Sequence, residues 1–222
     1  TTGAGSPEKY MADWKAAGVK VIPVVASTAL ARRMERCGAD AVVAEGTEAG
    51  GHIGEITTMT LVPQVADAVE IPVIAAGGIY SGDDIRKIME LGADGVQMGT
   101  RFVTTEECDA SDVFKQTYLN AHEEDIQIIR SPVGMPGRAI FSNFIQKIKE
   151  GKKQPKVCPF NCIKTCDISK SPYCIITALY NAFRGNMENG YAFAGANAFK
   201  ATKIMSVKET FRSLLEEFNR TK

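Results

Sequence analysis

The first hundred residues predict an α/β fold built on a parallel sheet. Short apolar runs rich in β-branched residues alternate with helical patterns, as expected for strands that are buried on both faces. One sequence pattern occurs three times, as KAAGVKV, ERCGADAVV and ELGADGVQM. Each occurrence predicts the end of a helix, then a glycine, then a strand. Glycines also crowd the ends of the strands. This regular alternation is typical of a parallel barrel or of an open doubly wound sheet.

The elements are predicted in the order β-α-β-α-β-α-β. Ser81 is a plausible helix N-cap with Asp84 three residues later, and Pro63 is expected in the first turn of its helix because proline has no N–H to donate. The predicted strands span 19–25, 39–46, 71–78 and 93–102, and the predicted helices span 28–38, 60–69 and 81–92.

The alternation stops after residue 103. The pattern predicts a solvated helical stretch, a turn-rich piece, an amphipathic helix near 138–150, a linker over 152–162 and two further helices. The second of these opens with a capping box at Ser206 and Glu209. The chain is therefore divided into an α/β part, 1–125, and a mostly helical tail, 126–222.

Composition excludes several classes of protein. The chain has 26 Lys and Arg against 26 Asp and Glu, which argues against a nucleic-acid or membrane partner reached by bulk charge. No apolar run approaches the roughly 18 residues that a membrane-spanning helix needs. The polar start does not resemble a signal peptide, so a cytoplasmic location is expected. Because the chain begins without Met, we expect further sequence upstream.

Two successive strand ends favour a phosphate site. Gly77 and Gly78 end one predicted strand, and Gly99 and Thr100 end the next. Glycine lets backbone N–H groups approach an anion, and late loops of a parallel barrel are a usual place for phosphate. The alternative is that these glycines only make tight turns. No G-x-G-x-x-G dinucleotide motif is present, so a mononucleotide such as FMN fits better.

The stretch EAGGHIG, residues 48–54, contains one of only two histidines. A loop histidine titrates near neutral pH and suits a general acid or base, although it can equally be a solvated residue without a role. Glu45 and Glu48 are near enough to orient His52 or to bind a cation. His122 lies in a polar stretch and is expected at the surface.

Six cysteines are present, of which Cys37 and Cys108 stand alone. The others follow the spacing C-x3-C-x3-C-x7-C. Four thiolates could hold an iron–sulfur cluster or zinc, and the alternative is a set of free or packed cysteines. This thiol cluster comprises Cys158, Cys162, Cys166 and Cys174.

Residues 44–102 resemble the core of the nitronate monooxygenase and enoyl-acyl-carrier-protein reductase II family, whose members are FMN-dependent (β/α)8 barrels. Residues 1–46 and the FAGAN stretch, 193–197, extend the similarity. The resemblance implies that His52 is the active-site base. It also implies that Gly50 and Gly51 lie against the flavin and that Gly195 returns to its vicinity. The FMN phosphate would be held by Gly77, Gly78, Gly99 and Thr100.

The chain departs from this family pattern in two ways. About three strand–helix units that precede this point in the family are missing, so the resemblance implies a partial (β/α)8 TIM barrel with strands 5–8 present and a helical C-terminal tail. A fragment of a longer protein is the favoured explanation, since a half-barrel leaves two open sheet edges. The thiol cluster is also absent from the pattern of the usual enoyl reductases.

Three functions are compatible with the sequence. The first is FMN-dependent oxidation of alkyl nitronates with His52 as general base. The second is an enoyl-acyl-carrier-protein reductase that uses NAD(P)H as electron donor. The third is a truncated, non-catalytic flavin-binding protein. The partners implied are a small-molecule substrate, either a nitronate or an enoyl thioester, and a second copy of the chain in a homodimer.

Overall fold

The computed structural model describes residues 1–3, 5–152, 157–158, 160, 162 and 166–220. Residues 153–156, 159 and 161 of the predicted linker lie outside this set. The α-helices are α1 (Glu8–Ala16), α2 (Thr28–Arg36), α3 (Thr58–Ala66), α4 (Gly82–Glu90), α5 (Thr100–Val103), α6 (Asp112–Leu119), α7 (Asn143–Lys149), α8 (Ile175–Phe183) and α9 (Val207–Phe218). The strands are β1 (Val24–Val25), β2 (Val42–Glu45), β3 (Gly51–His52), β4 (Val73–Ala76), β5 (Gly95–Gln97), β6 (Ile126–Arg130) and β7 (Pro136–Ile140).

Contacts divide the chain into two compact units. The first unit comprises Thr1–Ala49, Ile53–Gly99 and Lys208–Lys222. The second unit comprises Gly50–His52 and Thr100–Val207. Neither unit begins or ends at residue 125, and the assignment of 1–125 to a half-barrel and of 126–222 to a tail stays a prediction.

The first unit contains a parallel sheet, which confirms the α/β prediction. Its strand order is β1-β2-β4-β5, and every neighbouring pair is parallel. Strands β2 and β4 are almost entirely buried, as the continuous apolar runs predict for a sheet covered on both faces. The strands are shorter than predicted, and β1 keeps only its last two residues as strand. Thr2 adds a parallel bridge to Pro23 beside β1.

The three repeated glycines end helices, as predicted. Gly18, Gly38 and Gly92 have φ values of 75°, 91° and 100°. After each glycine, the next N–H donates to a carbonyl five residues back, for example Ala39 N to Met34 O at 3.1 Å. This is the pattern of the Schellman motif, which closes the last turn and directs the chain into the next strand.

Two predictions on helix ends have different outcomes. Ser81 caps α4 and forms a capping box with Asp84, which confirms the prediction. The placement of Pro63 in a first turn is wrong, because α3 begins at Thr58 and Pro63 lies in its second turn. Proline cannot donate the bond to the carbonyl of Met59, and Met59 is half exposed, so water can reach that end of the helix.

The second unit contains an antiparallel sheet that the sequence did not predict. Its order is β3-β7-β6, with five residue pairs between β6 and β7. The sequence pattern predicts a loop at residues 51–52, but these residues pair with β7. The helix predicted near 138–150 begins only at Asn143, because the preceding residues pair as a strand. Part of the predicted helical tail is therefore a hairpin.

Aromatic side chains form the core beside this hairpin. Tyr191 is fully buried and lies 5.1 Å from Phe193 between ring centres. The same cluster includes Phe144 and Tyr173. In the ranges that the structure describes, none of the helices combines the length and apolar character required to cross a membrane.

Candidate functional site

Three of the predicted site glycines lie in the first unit. Gly77 and Gly78 follow β4 with φ values of 102° and 73°, which side-chain-bearing residues rarely adopt. A Cβ at Gly77 would also meet Thr58 Oγ1 at 2.9 Å, so the turn itself requires glycine there. Gly99 differs, because a Cβ at this position would have open space around it.

Glu48 accepts hydrogen bonds from the first residue of helix α3. Its carboxylate accepts hydrogen bonds from the backbone N–H and the hydroxyl of Thr58, both at 2.8 Å. An anion at a helix N-terminus is favourable, since it faces N–H groups that lack partners within the helix. Glu48 thus anchors the chain two residues before Gly50. Burial raises the pKa of Glu45, the last residue of β2.

His52 lies in the second unit, at the end of the two-residue strand β3. Its Nε2 is 2.9 Å from the hydroxyl of Ser131. Its ring packs against Phe193, with 5.5 Å between ring centres and 63° between ring planes. Pairing of His52 with Gly137 of β7 fixes the backbone beneath the ring. His122, by contrast, is exposed, as predicted.

Four further predicted residues lie near His52 in the same unit. A Cβ at Gly50 would come within 2.7 Å of the backbone of Ala194 and Gly195, so only glycine permits this approach. Gly51 has a φ of 89°. The N–H of Gly195 donates to the hydroxyl of Thr100 at 2.9 Å. The structure therefore brings the FAGAN stretch against the residues that precede the histidine.

Sequence reasoning missed Ser131 and Phe193. Ser131 is 2% exposed, and its backbone is fixed by hydrogen bonds to Met135 and Gly134 across the turn between β6 and β7. The carbonyl of Phe193 accepts a hydrogen bond from the Tyr118 hydroxyl. The FAGAN similarity pointed to the neighbourhood of Phe193. Ser131 gave no signal, because its role depends on a hairpin that was not predicted.

Burial lowers the pKa of His52 below its ordinary value of 6.5, because desolvation disfavours the charged imidazolium. The ring is therefore neutral at pH 7. A neutral imidazole has one N–H and one lone pair. If Nε2–H donates to Ser131, Nδ1 keeps the lone pair and can accept a proton. Phe193 covers one side of the ring and contributes to its desolvation.

A cavity of about 640 Å³ lies in the second unit, and His52 itself is not one of its lining residues. Ser131 is part of its wall, so the residue that contacts His52 also faces the cavity. Isoleucines from β6 and α7 provide apolar surface. The cationic lining residues are Arg130, Lys149 and Lys170.

The thiol cluster lines a second, much smaller cavity of about 20 Å³. All six cysteines of the chain are free thiols. Burial alone would raise the pKa of Cys174, but hydrogen bonds from the hydroxyl and N–H of Thr177 and the N–H of Ile176 outweigh it and lower the pKa. Within the described residues, no three or more Cys, His, Asp or Glu side chains stand as a ready-made metal site.

Comparison with known proteins identifies the relatives of this chain. A family model described as nitronate monooxygenase matches residues 1–217. A probable nitronate monooxygenase of Staphylococcus aureus (strain Newman) is 40% identical over 153 residues, covering 64% of this chain and 43% of that protein. The structure of FabK from Thermotoga maritima superposes with a TM-score of 0.84 at 41% identity, covering 97% of this chain and 66% of the other.

A third relative acts on a coenzyme A derivative, according to its name. It is the (3aS,4S,5R,7aS)-5-hydroxy-7a-methyl-1-oxo-octahydro-1H-indene-4-carboxyl-CoA dehydrogenase of Rhodococcus jostii (strain RHA1), 41% identical over 142 residues. That match covers 64% of this chain and 40% of the relative. The chain thus spans about two fifths of the length of these curated relatives. Because the family model covers nearly its whole length, the chain belongs to the nitronate monooxygenase family.

Proposed function

We propose that this chain is part of an FMN-dependent oxidoreductase of the nitronate monooxygenase type, in which His52 is the general base. The observation that carries the proposal is the contact of His52 with Ser131, together with the burial that keeps the imidazole neutral. A half-buried neutral histidine held through one nitrogen is suited to take a proton with the other. FMN, when bound, supplies the acceptor for the substrate's electrons.

The barrel correspondence is part of this proposal. We assign β1, β2, β4 and β5 to strands 5–8 of a (β/α)8 barrel. The parallel order of the sheet and the bridge from Thr2 to Pro23 support this assignment.

The predicted FMN contacts are also retained as a proposal. A Cβ added at Gly51 or at Gly99 would have no atom within 4 Å, so the backbone at these positions is accessible to a ligand, as the role requires. Gly77, Gly78 and Thr100 keep the phosphate role that the resemblance implies, and Gly50 and Gly195 keep their place beside the flavin.

The cavity beside Ser131 favours a second candidate function. A volume of about 640 Å³ is generous for a small nitronate and falls within the range of pockets that hold drug-sized ligands. The walls are apolar, Arg130 and Lys149 are cationic, and Lys170 is paired with Asp167 at 3.1 Å, a lining that suits an acyl thioester bearing phosphate. The sequence resembles enoyl-acyl-carrier-protein reductase II as well as nitronate monooxygenase, and the Rhodococcus relative is named for a CoA substrate. The second candidate is therefore reduction of an enoyl thioester with NAD(P)H.

Turnover assays separate these functions. The FMN-loaded chain is mixed with ethyl nitronate and oxygen, and separately with crotonyl-CoA and NADH or NADPH. Nitronate oxidation supports the first function, and NAD(P)H-dependent reduction of the thioester supports the second. For a general base, His52→Ala is expected to lower kcat by roughly 10²–10⁴-fold.

His122→Ala is the matched control, because it removes the other, exposed histidine. Its kcat should equal that of the unmodified chain. Nitronate turnover that survives His52→Ala unchanged would refute the base assignment. A chain that binds FMN but turns over neither substrate would support the non-catalytic alternative instead.

A further inference from the structure

The thiol cluster is concentrated around one point in the second unit. Its four members lie on a stretch of 17 residues and all line the same small cavity. The other two cysteines, Cys37 and Cys108, do not line it. Four sulfur side chains that face one cavity need a common explanation.

Packing does not account for this arrangement. A free cysteine usually behaves as a small buried hydrophobe. Cys162 and Cys166 are exposed, and Cys158 and Cys174 are only partly buried. Disulfide bonding does not account for it either, since every cysteine is a free thiol.

The cavity has the chemistry of a site for a thiophilic metal. Its wall contains no histidine, aspartate or glutamate among the described residues, so sulfur is the strongest donor present. Thiolates favour zinc and iron–sulfur clusters over magnesium, calcium and manganese, which prefer oxygen. Pro132, Val133 and Ile168 provide apolar cover, which limits access of water.

The surrounding chain can adjust to a metal. Between α7 and α8, the described residues contain no helix or strand, and Cys158, Cys162 and Cys166 lie in this irregular stretch. The thiols are not yet arranged as a ligand set, so binding must draw them together. Movement of these three cysteines breaks no helical or sheet hydrogen bonds of the described residues, and metal binding is commonly coupled to a change in the chain that carries the ligands. Cys174 is fixed at the N-cap of α8 and provides a stationary ligand.

We propose that the thiol cluster forms a four-thiolate metal centre. Each thiol loses its proton to solvent as its sulfur–metal bond forms, so four protons leave when all four bonds are made. No electron transfer is required. A cavity of about 20 Å³ has room for one ion once the thiols move together, whereas an iron–sulfur cluster requires the cysteines to move further outward. The centre is independent of the proposed flavin chemistry.

Metal content of the purified chain tests the proposal. The chain is produced and purified without oxygen, and zinc, iron and acid-labile sulfide are measured per chain. About one zinc per chain without visible absorption indicates a tetrahedral zinc site. Iron with matching sulfide and a broad visible absorption band indicates an iron–sulfur cluster. Either result supports the centre and identifies the metal.

Thiol titration under native conditions locates the ligands. Four of the six thiols should react slowly with a thiol reagent and become reactive when a chelator removes the metal. Cys162→Ser and Cys174→Ser should each lower bound metal by at least roughly tenfold. The matched controls Cys37→Ser and Cys108→Ser should retain it.

The unmodified chain gives the decisive result even if a variant fails to fold. Absence of both metals from folded chain supplied with zinc, or with iron and sulfide, would overturn the proposal. Equal metal content in the Cys37→Ser control and in Cys162→Ser and Cys174→Ser, all folded by circular dichroism, would overturn the ligand assignment.

Discussion

Burial determines the charge of His52 and hence the expected pH dependence. The folded-state pKa lies below the ordinary 6.5, so the base form is present at pH 7. We predict that kcat/KM rises with pH through a pKa below 6.5 and then stays level until another group titrates. His52 also contributes to the pH dependence of stability: because its pKa is lower in the folded state, folding weakens progressively as the pH falls below 6.5. A pH–rate profile measures the first effect.

Ser131 holds the His52 ring through a hydrogen bond, so removing its hydroxyl should also change the pH profile. Loss of its hydrogen bond is worth about 1–1.5 kcal/mol, so Ser131→Ala should lower kcat by about tenfold with little change in KM, and should shift the acid limb of the profile. Ser171→Ala is the matched control, because Ser171 is a buried serine on the same cavity without a bond to His52. Identical profiles for the two variants would show that Ser131 does not position the base.

At the scale of single residues, the sequence analysis identified site residues that are either rare in the chain or required by the backbone geometry. His52 is one of two histidines, and glycine at positions 50 and 77 is required by close backbone approaches. Ser131 could not be found in this way. It is 79 residues from His52 in the chain, and serine is common at surface turns.

At the scale of helices and strands, α9 lies near the C-terminal end of the sequence but packs against α4 in the first unit. Its C-terminal end lies against the start of α4, where Glu217 accepts a hydrogen bond from the N–H of Gly82 at 2.8 Å. Arg86 donates to the carbonyl of Glu217 at 2.6 Å. A Cβ at Gly82 would fall 2.2 Å from the carbonyl oxygen of Leu214, so the two helices meet only because residue 82 is glycine.

We predict that Gly82→Ala lowers the free energy of unfolding by about 1–3 kcal/mol, because α9 must shift away from α4. Urea denaturation with a helix-sensitive signal measures the change. Gly95→Ala is the control, since a Cβ there has open space. An unfolding free energy for Gly82→Ala equal to that of the control would contradict this account of the α4–α9 contact.

A helix or strand was predicted correctly where the interactions that define it are local in the sequence, and was missed where they join distant residues. The alternation of strands and helices in the first unit was predictable, because Gly18, Gly38 and Gly92 mark helix ends locally. The β6–β7 hairpin was not. Residues 138–150 have apolar side chains at helical spacing, but β7 pairs with β3, which lies more than 80 residues earlier in the chain.

For the whole molecule, the main question is what a chain of this length does by itself. It spans about two fifths of its curated relatives, yet the family model matches it from residue 1 to residue 217. The sequence predicted the family through its glycine and histidine motifs. Its division of the chain into 1–125 and 126–222 stays a prediction, and it did not anticipate that the ranges of the two compact units alternate along the chain, because that depends on contacts between distant residues.

Binding of FMN to the purified chain tests the central claim most directly. Titration followed by quenching of flavin fluorescence should show saturable binding of one FMN per chain. Gly99→Ala should weaken binding by about tenfold, since a Cβ there obstructs only a ligand, while Gly95→Ala should leave it unchanged. Both variants should unfold at the same temperature as the unmodified chain. Failure of the folded chain to bind FMN would contradict the proposed flavin-dependent function.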